Sequence, residues 1–72
     1  MDIIKIETPF IKLDQLLKYA DVTENGTDAK FLILNGYVSY NGEVEIRRGK
    51  KVYPGDIVTI VYEDADIKLK AE

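Results

Sequence analysis

The chain has no cysteine and no histidine. Their absence removes the Ser–His and Cys–His nucleophile pairs and the usual Cys/His zinc sites. Carboxylates, tyrosines, lysines and hydroxyls are the reactive groups left. Small secreted domains usually offset a thin core with disulfides, so a chain without cysteine points to an intracellular, cytoplasmic setting. Long apolar runs are missing as well. The longest, Phe31-Leu32-Ile33-Leu34, falls far short of the roughly 18 residues that a membrane span needs. The start, Met1-Asp2-Ile3-Ile4-Lys5, lacks the basic start followed by a long apolar stretch that marks a secretory signal. No membrane association is expected.

What is present suits one small domain spanning residues 1–72. The hydrophobic fraction, 46%, is that of a folded protein rather than a disordered one. At this size only about 60% of the unfolded surface is buried on folding, so the core has little to spare.

The formal net charge of −3 weighs against nucleic-acid binding, but the charges are segregated. Residues 1–45 carry four lysines against eight acids, and residues 54–72 two lysines against five acids. Residues 46–53, Ile-Arg-Arg-Gly-Lys-Lys-Val-Tyr, carry four positive charges and no acid. Because the Debye length at physiological salt is about 8 Å, a local patch matters more to a phosphate than the sum over the chain.

Asp2 to Glu7 alternates in part and predicts a short strand, ended by Thr8-Pro9. Leu13, Leu16, Leu17 and Ala20 then fall at i, i+3, i+4 and i+7, one face of a two-turn helix, with Asp14 in its first turn. Lys12 before it is a poor cap. After a polar loop, Asn25 caps a second helix, with Thr27 as a rival and Asp28 at the capping-box position. Ala29, Leu32, Ile33 and Gly36 repeat the helical spacing, and Asn35-Gly36 ends it. The remainder reads as antiparallel strands. Tyr37–Tyr40 leads through the hairpin turn Asn41-Gly42 into a return strand, Glu43–Ile46, with Val44 and Ile46 on one face. A basic loop follows, Arg47 to Lys51, built around a flexible Gly49. Val52-Tyr53 is a short apolar piece, Pro54-Gly55-Asp56 a turn, and Ile57–Tyr62 a β-branched strand. An acidic turn at Glu63–Asp66 precedes a final edge strand within residues 66–70. The order predicts an α+β fold, two short helices packed on a small, mainly antiparallel twisted sheet.

The spacing of Leu13-Asp14, Leu17, Ala29-Lys30, Gly36-x-Val38-x-Tyr40-Asn41-Gly42 and Gly55-Asp56-x-Val58 resembles the S-four RNA-binding domain family, over roughly Ile11 to Ile60. Arg47-Arg48-Gly49-Lys50-Lys51-Val52-Tyr53-x-Gly55-Asp56 is similar to its small, free-standing bacterial subtype of the YaaA/YbcJ kind. The resemblance implies the two-helix α-L RNA-binding motif and a non-catalytic, monomeric module without cofactor or metal. Its partner would be structured RNA, with ribosomal RNA and ribosome assembly the leading context. Two positions depart from the family. Lys12 replaces the Arg usual before Leu-Asp, and Asn25-Gly26 replaces the Ser-Arg that usually opens the second helix.

Lys12, Lys30, Arg47, Arg48, Lys50 and Lys51 are the candidate RNA-binding residues, since cations meet phosphates and arginine does so with two parallel hydrogen bonds. Gly36, Asn41, Gly42, Gly55 and Asp56 are assigned to turns. Tyr40 and Tyr53 are expected to fill gaps in the core, and Tyr37 to stand exposed beside the hairpin. Glu63, Asp64 and Asp66 lack a calcium-loop pattern and read as a solvated turn. Two alternatives stay open. One is a protein-interaction module. The other is a ubiquitin-like sulfur carrier, disfavoured because the sequence ends Lys68-Leu69-Lys70-Ala71-Glu72 and not in Gly-Gly.

Overall fold

In a computed structural model that describes residues 1–72, the chain runs β1 (Asp2–Ile4), β2 (Ile11–Lys12), α1 (Leu13–Tyr19), α2 (Gly26–Leu34), β3 (Val38–Tyr40), β4 (Glu43–Val44), β5 (Lys51–Val52), β6 (Ile57–Tyr62) and β7 (Ala65–Ala71). Five strands form one sheet in the order β1-β7-β6-β3-β4, and β2 and β5 form a separate antiparallel pair. All ladders are antiparallel except β1 with β7, where Asp2 faces Leu69 and Ile4 faces Ala71. The α+β expectation therefore holds.

Both helices bury the stripe that their spacing predicts. Leu13, Leu16 and Leu17 of α1 join Ala29, Leu32 and Ile33 of α2 in a cluster with Val38, Val52, Val58, Ile60, Leu69 and Ala71. The strand residues in that cluster alternate along β6 and β7, as one covered face of a sheet requires. Ala20 is only partly buried at its edge. Neither helix is long and apolar enough to cross a membrane.

The helix ends follow local chemistry. The Asn25 side chain accepts from the Asp28 amide at 2.9 Å, which settles the α2 cap in its favour over Thr27. At the other end Gly36 adopts φ +81°, its amide donates to Ile33 and the Tyr37 amide donates to Leu32. This is a Schellman closure, whose left-handed residue glycine adopts without a side-chain clash.

Several strand expectations need correction. The strand expected over residues 2–7 is regular only to Ile4, although Ile6 and Ile4 each keep one bond to Glu72. The strand expected at residues 66–70 is longer, Ala65–Ala71, and is not an edge, because β1 covers its outer side. Only Glu63-Asp64 are left for the turn before it. The return strand is regular only to Val44; the Glu45 amide makes one more bond, to the Val38 carbonyl, and the Glu45 carboxylate then accepts from the Arg47 amide at 3.0 Å. The two-residue strand β2 has too little sequence to show a period.

Candidate nucleic-acid interface

The basic loop is held by the helix it faces. Residues at a helix start have amides without an intrahelical partner, and Lys12 offers α1 no side-chain cap. The loop supplies the acceptors instead. The Lys50 carbonyl takes the Leu13 amide at 2.9 Å, and the Arg48 carbonyl takes the Asp14 amide at 3.1 Å. Gly49, expected to make this loop flexible, sits between two anchored carbonyls. The four cations therefore project from a fixed backbone.

Lys51 opens β5 directly opposite Lys12 in β2. Opposed residues of an antiparallel pair share a face, so two like charges stand side by side, an arrangement that costs stability. The Lys51 ammonium lies 4.8 Å from the centre of the Phe10 ring, and the Lys50 ammonium 4.8 Å from that of Tyr40. Phe10 in turn packs on Tyr53, their ring centres 5.9 Å apart. Tyr40, Arg47, Gly49, Lys50, Lys51 and Tyr53 line a shallow cup of about 500 Å³. Tyr53 is 47% exposed, which corrects the expectation that it fills the core. Tyr40 is half-buried against the core cluster, and Tyr37 is exposed as expected.

The cations are not equivalent. Arg47 binds Glu45 with two guanidinium nitrogens, at 2.9 and 3.0 Å. The hydrogen bonds from Arg47 hold the Glu45 carboxyl down at about 2, and Glu45 raises Arg47. This is the one ion pair of the molecule. Arg48, Lys50, Lys51 and Lys12 have no carboxylate partner. Lys30 is exposed on α2 and lines no part of the cup.

The turn residues do more than bend the chain. Asn41 and Gly42 take positive φ, 49° and 90°, as the hairpin twist demands. Gly55, at φ +99°, places Asp56 beneath that hairpin. Asp56 accepts from the Tyr40 hydroxyl, from the Tyr53 amide at 2.8 Å and from the Asn41 side chain at 3.2 Å. Asn41 returns an acceptor to the Ile57 amide at 2.8 Å. The bond to Asp56 lifts the Tyr40 phenol to about 12. Burial pushes the Asp56 carboxyl up, but the bonds from Tyr40, the Tyr53 amide and Asn41 outweigh it, and it lies below the usual range. The two tyrosines of the cup are thus set by one carboxylate.

Sequence reasoning missed Phe10 and Glu45. Phe10 adjoins Pro9 and matches no helix or strand period. Glu45 stands two residues before Arg47, and that spacing was the available signal.

The family model of the S4 domain matches residues 4–69. The chain belongs to the S4 domain family. The S4 domain seen here is similar to the probable ribosome maturation protein RlbA of Bacillus subtilis (strain 168), with 46% identity over 57 residues, 79% of this chain and 80% of that protein. Among solved structures it superposes on a trimeric structure of Vibrio cholerae Heat Shock Protein 15 with a TM-score of 0.73 at 24% identity. That match covers 82% of this chain and 59% of the other, and it bears on the fold. The family and the architecture implied by the sequence motifs are therefore borne out. No three acidic side chains gather closely enough to hold a metal ion.

Proposed function

We propose that this S4 domain is a non-catalytic, monomeric, cytoplasmic module that grips structured RNA, with ribosomal RNA during ribosome maturation as its setting. The single observation that carries the reading is the cup. It places Lys50 and Lys51 beside aromatic rings, with Lys12 alongside, and none of them is in a direct ion pair. Unpaired cations on an ordered backbone suit phosphates, and the exposed ring of Tyr53 suits an unstacked base. A-form grooves hide base edges, so recognition would rest on phosphates and shape more than on sequence. The RlbA similarity supports the ribosomal setting. Arg48, Lys12, Lys50 and Lys51 form the main contact, Arg47 contributes less because Glu45 holds it, and Lys30 serves a separate contact on α2.

The test is fluorescence anisotropy of the whole chain with ribosomal RNA fragments across a salt series. Changing Lys12, Arg48, Lys50 and Lys51 together to Glu should abolish saturable binding while circular dichroism stays unchanged. Retained affinity with an unaltered salt slope would reject this surface.

A further inference from the structure

The S4 domain carries a second, oppositely charged concavity. Phe31 of α2, Tyr37 after it and Tyr62 of β6 form a three-ring cluster, with centres 6.1 Å apart for Phe31–Tyr37, 5.8 Å for Phe31–Tyr62 and 4.7 Å for Tyr37–Tyr62. Large aromatic rings normally enter the core, yet Phe31 is 47% exposed. Beside these rings a pocket of about 310 Å³ is lined by Thr23, Glu24, Asp28, Phe31 and Tyr62 among others. Glu63 adds a further acid next to Tyr62, and its charge is the main reason the Tyr62 phenol is raised. None of these acids has a basic partner.

An independent feature marks the same pocket. Thr23 is the buried polar residue of the chain, 8% exposed, and its hydroxyl is the buried side-chain polar atom left without a hydrogen-bond partner. Such a group costs free energy until something meets it. The pocket thus offers aromatic faces and carboxylates at its rim, with the buried, unpartnered Thr23 hydroxyl behind its wall.

We propose that this pocket docks an arginine side chain from a basic polypeptide partner. A guanidinium stacks on aromatic rings and donates to carboxylates in a planar fork, whereas a lysine ammonium is a strongly hydrated point charge. The carboxylates repel RNA, so the pocket does not extend the cationic cup. A second copy meeting through the same face would set acids against acids. The two concavities then divide the work, one for polyanions and one for a polycationic protein, and the inference stands apart from the RNA reading.

The experiment is an NMR titration of the isotope-labelled whole chain with a blocked hexapeptide of alternating arginine and leucine, and with its lysine counterpart. The expected result is saturable shifts centred on Thr23, Glu24, Asp28, Phe31 and Tyr62, with Arg48 to Lys51 unmoved and the lysine peptide weaker. Neutralising Glu24→Gln with Asp28→Asn should weaken arginine-peptide binding about tenfold or more, the scale of lost charge-assisted contacts. The control Asp2→Asn with Glu7→Gln removes two acids elsewhere and should leave affinity unchanged. Shifts spread over all acidic surfaces, equal weakening by the control, or equal binding of the lysine peptide would each overturn the proposal.

Discussion

The hydroxyl of Tyr40 donates to the carboxylate of Asp56, joining two turns that lie sixteen residues apart. The same carboxylate holds the Tyr53 amide, so one acid fixes the hairpin turn, the later turn and the two tyrosines of the cationic cup. Tyrosine and aspartate here act as a brace for the surface that Lys50 and Lys51 share.

This brace has a pH signature. The Tyr40 phenol is raised from its ordinary value of 10.0 to about 12. A raised acid stabilises the fold fully below its unfolded pKa, and the contribution disappears as pH rises through the folded value. The stability of the wild type should therefore fall between about pH 10 and pH 12 more steeply than that of Tyr40→Phe. Asp56 is lowered, so its contribution is present above the usual carboxylate range and is lost as pH falls through its folded value. Urea unfolding across both limbs checks this, and absorbance titration of phenolate should lose its latest step in Tyr40→Phe. Parallel alkaline limbs for the two proteins would contradict the brace.

Glu45 offers a way to raise function. Its carboxylate occupies the guanidinium of Arg47 through two bonds, while the other loop cations are free. Glu45→Gln should strengthen RNA binding several-fold and steepen its salt dependence by about one unit of slope, as a released cation finds a phosphate. Adding Arg47→Ala to that variant should cost far more affinity than Arg47→Ala alone. Anisotropy over a salt series measures both effects, and additive changes would show that the pair does not restrain Arg47.

What was legible in the sequence was whatever repeats or turns. The stripes Leu13-Leu16-Leu17 and Ala29-Leu32-Ile33 announced both helices and their buried faces. Asn41-Gly42 announced a hairpin, and its positive φ angles agree. The basic stretch from Arg47 to Lys51 could be read as a patch from composition alone. Relations between distant residues could not. Lys12 meets Lys51 only because β2 pairs with β5, and two-residue strands leave no pattern. Asp56 read as a turn residue because two of its three partners, Tyr40 and Asn41, lie sixteen and fifteen residues away. Residues 66–70 looked like an edge because no local signal tells that the first strand of the chain returns to cover the last. Pairing of this kind is a property of the closed fold, not of a sequence window.

The Lys12–Lys51 pair predicts a conflict between stability and function. Like charges directly opposite across two strands cost roughly 0.2–1 kcal/mol. Lys51→Gln should therefore leave stability unchanged or raise it by that order, while lowering RNA affinity and reducing the salt slope by about one. Lys12→Gln should act likewise, and the double variant should gain no further stability, because the repulsion is removed only once. Chemical denaturation together with RNA binding at matched salt tests the pair. A loss of stability in either single variant would mean that contacts of the lysine stem, such as Lys51 over Phe10, outweigh the repulsion.

Gly36 isolates the cost of a backbone angle. Its φ of +81° lets the Gly36 and Tyr37 amides reach the carbonyls of Ile33 and Leu32. The chain can then leave α2 and enter β3. A Cβ added there would meet nothing closer than the Val44 side chain at 3.8 Å, an ordinary contact. Space is thus no obstacle, and the penalty for Gly36→Ala should be the left-handed conformation alone, about 1–2 kcal/mol. Gly36→Asn should cost less, since asparagine tolerates this region, and Gly36→Val more, because its branched side chain is stiffer. Urea midpoints at neutral pH should follow the order Gly, Asn, Ala, Val with unchanged m-values. An Ala variant as stable as the wild type would show that the helix end closes without the left-handed residue.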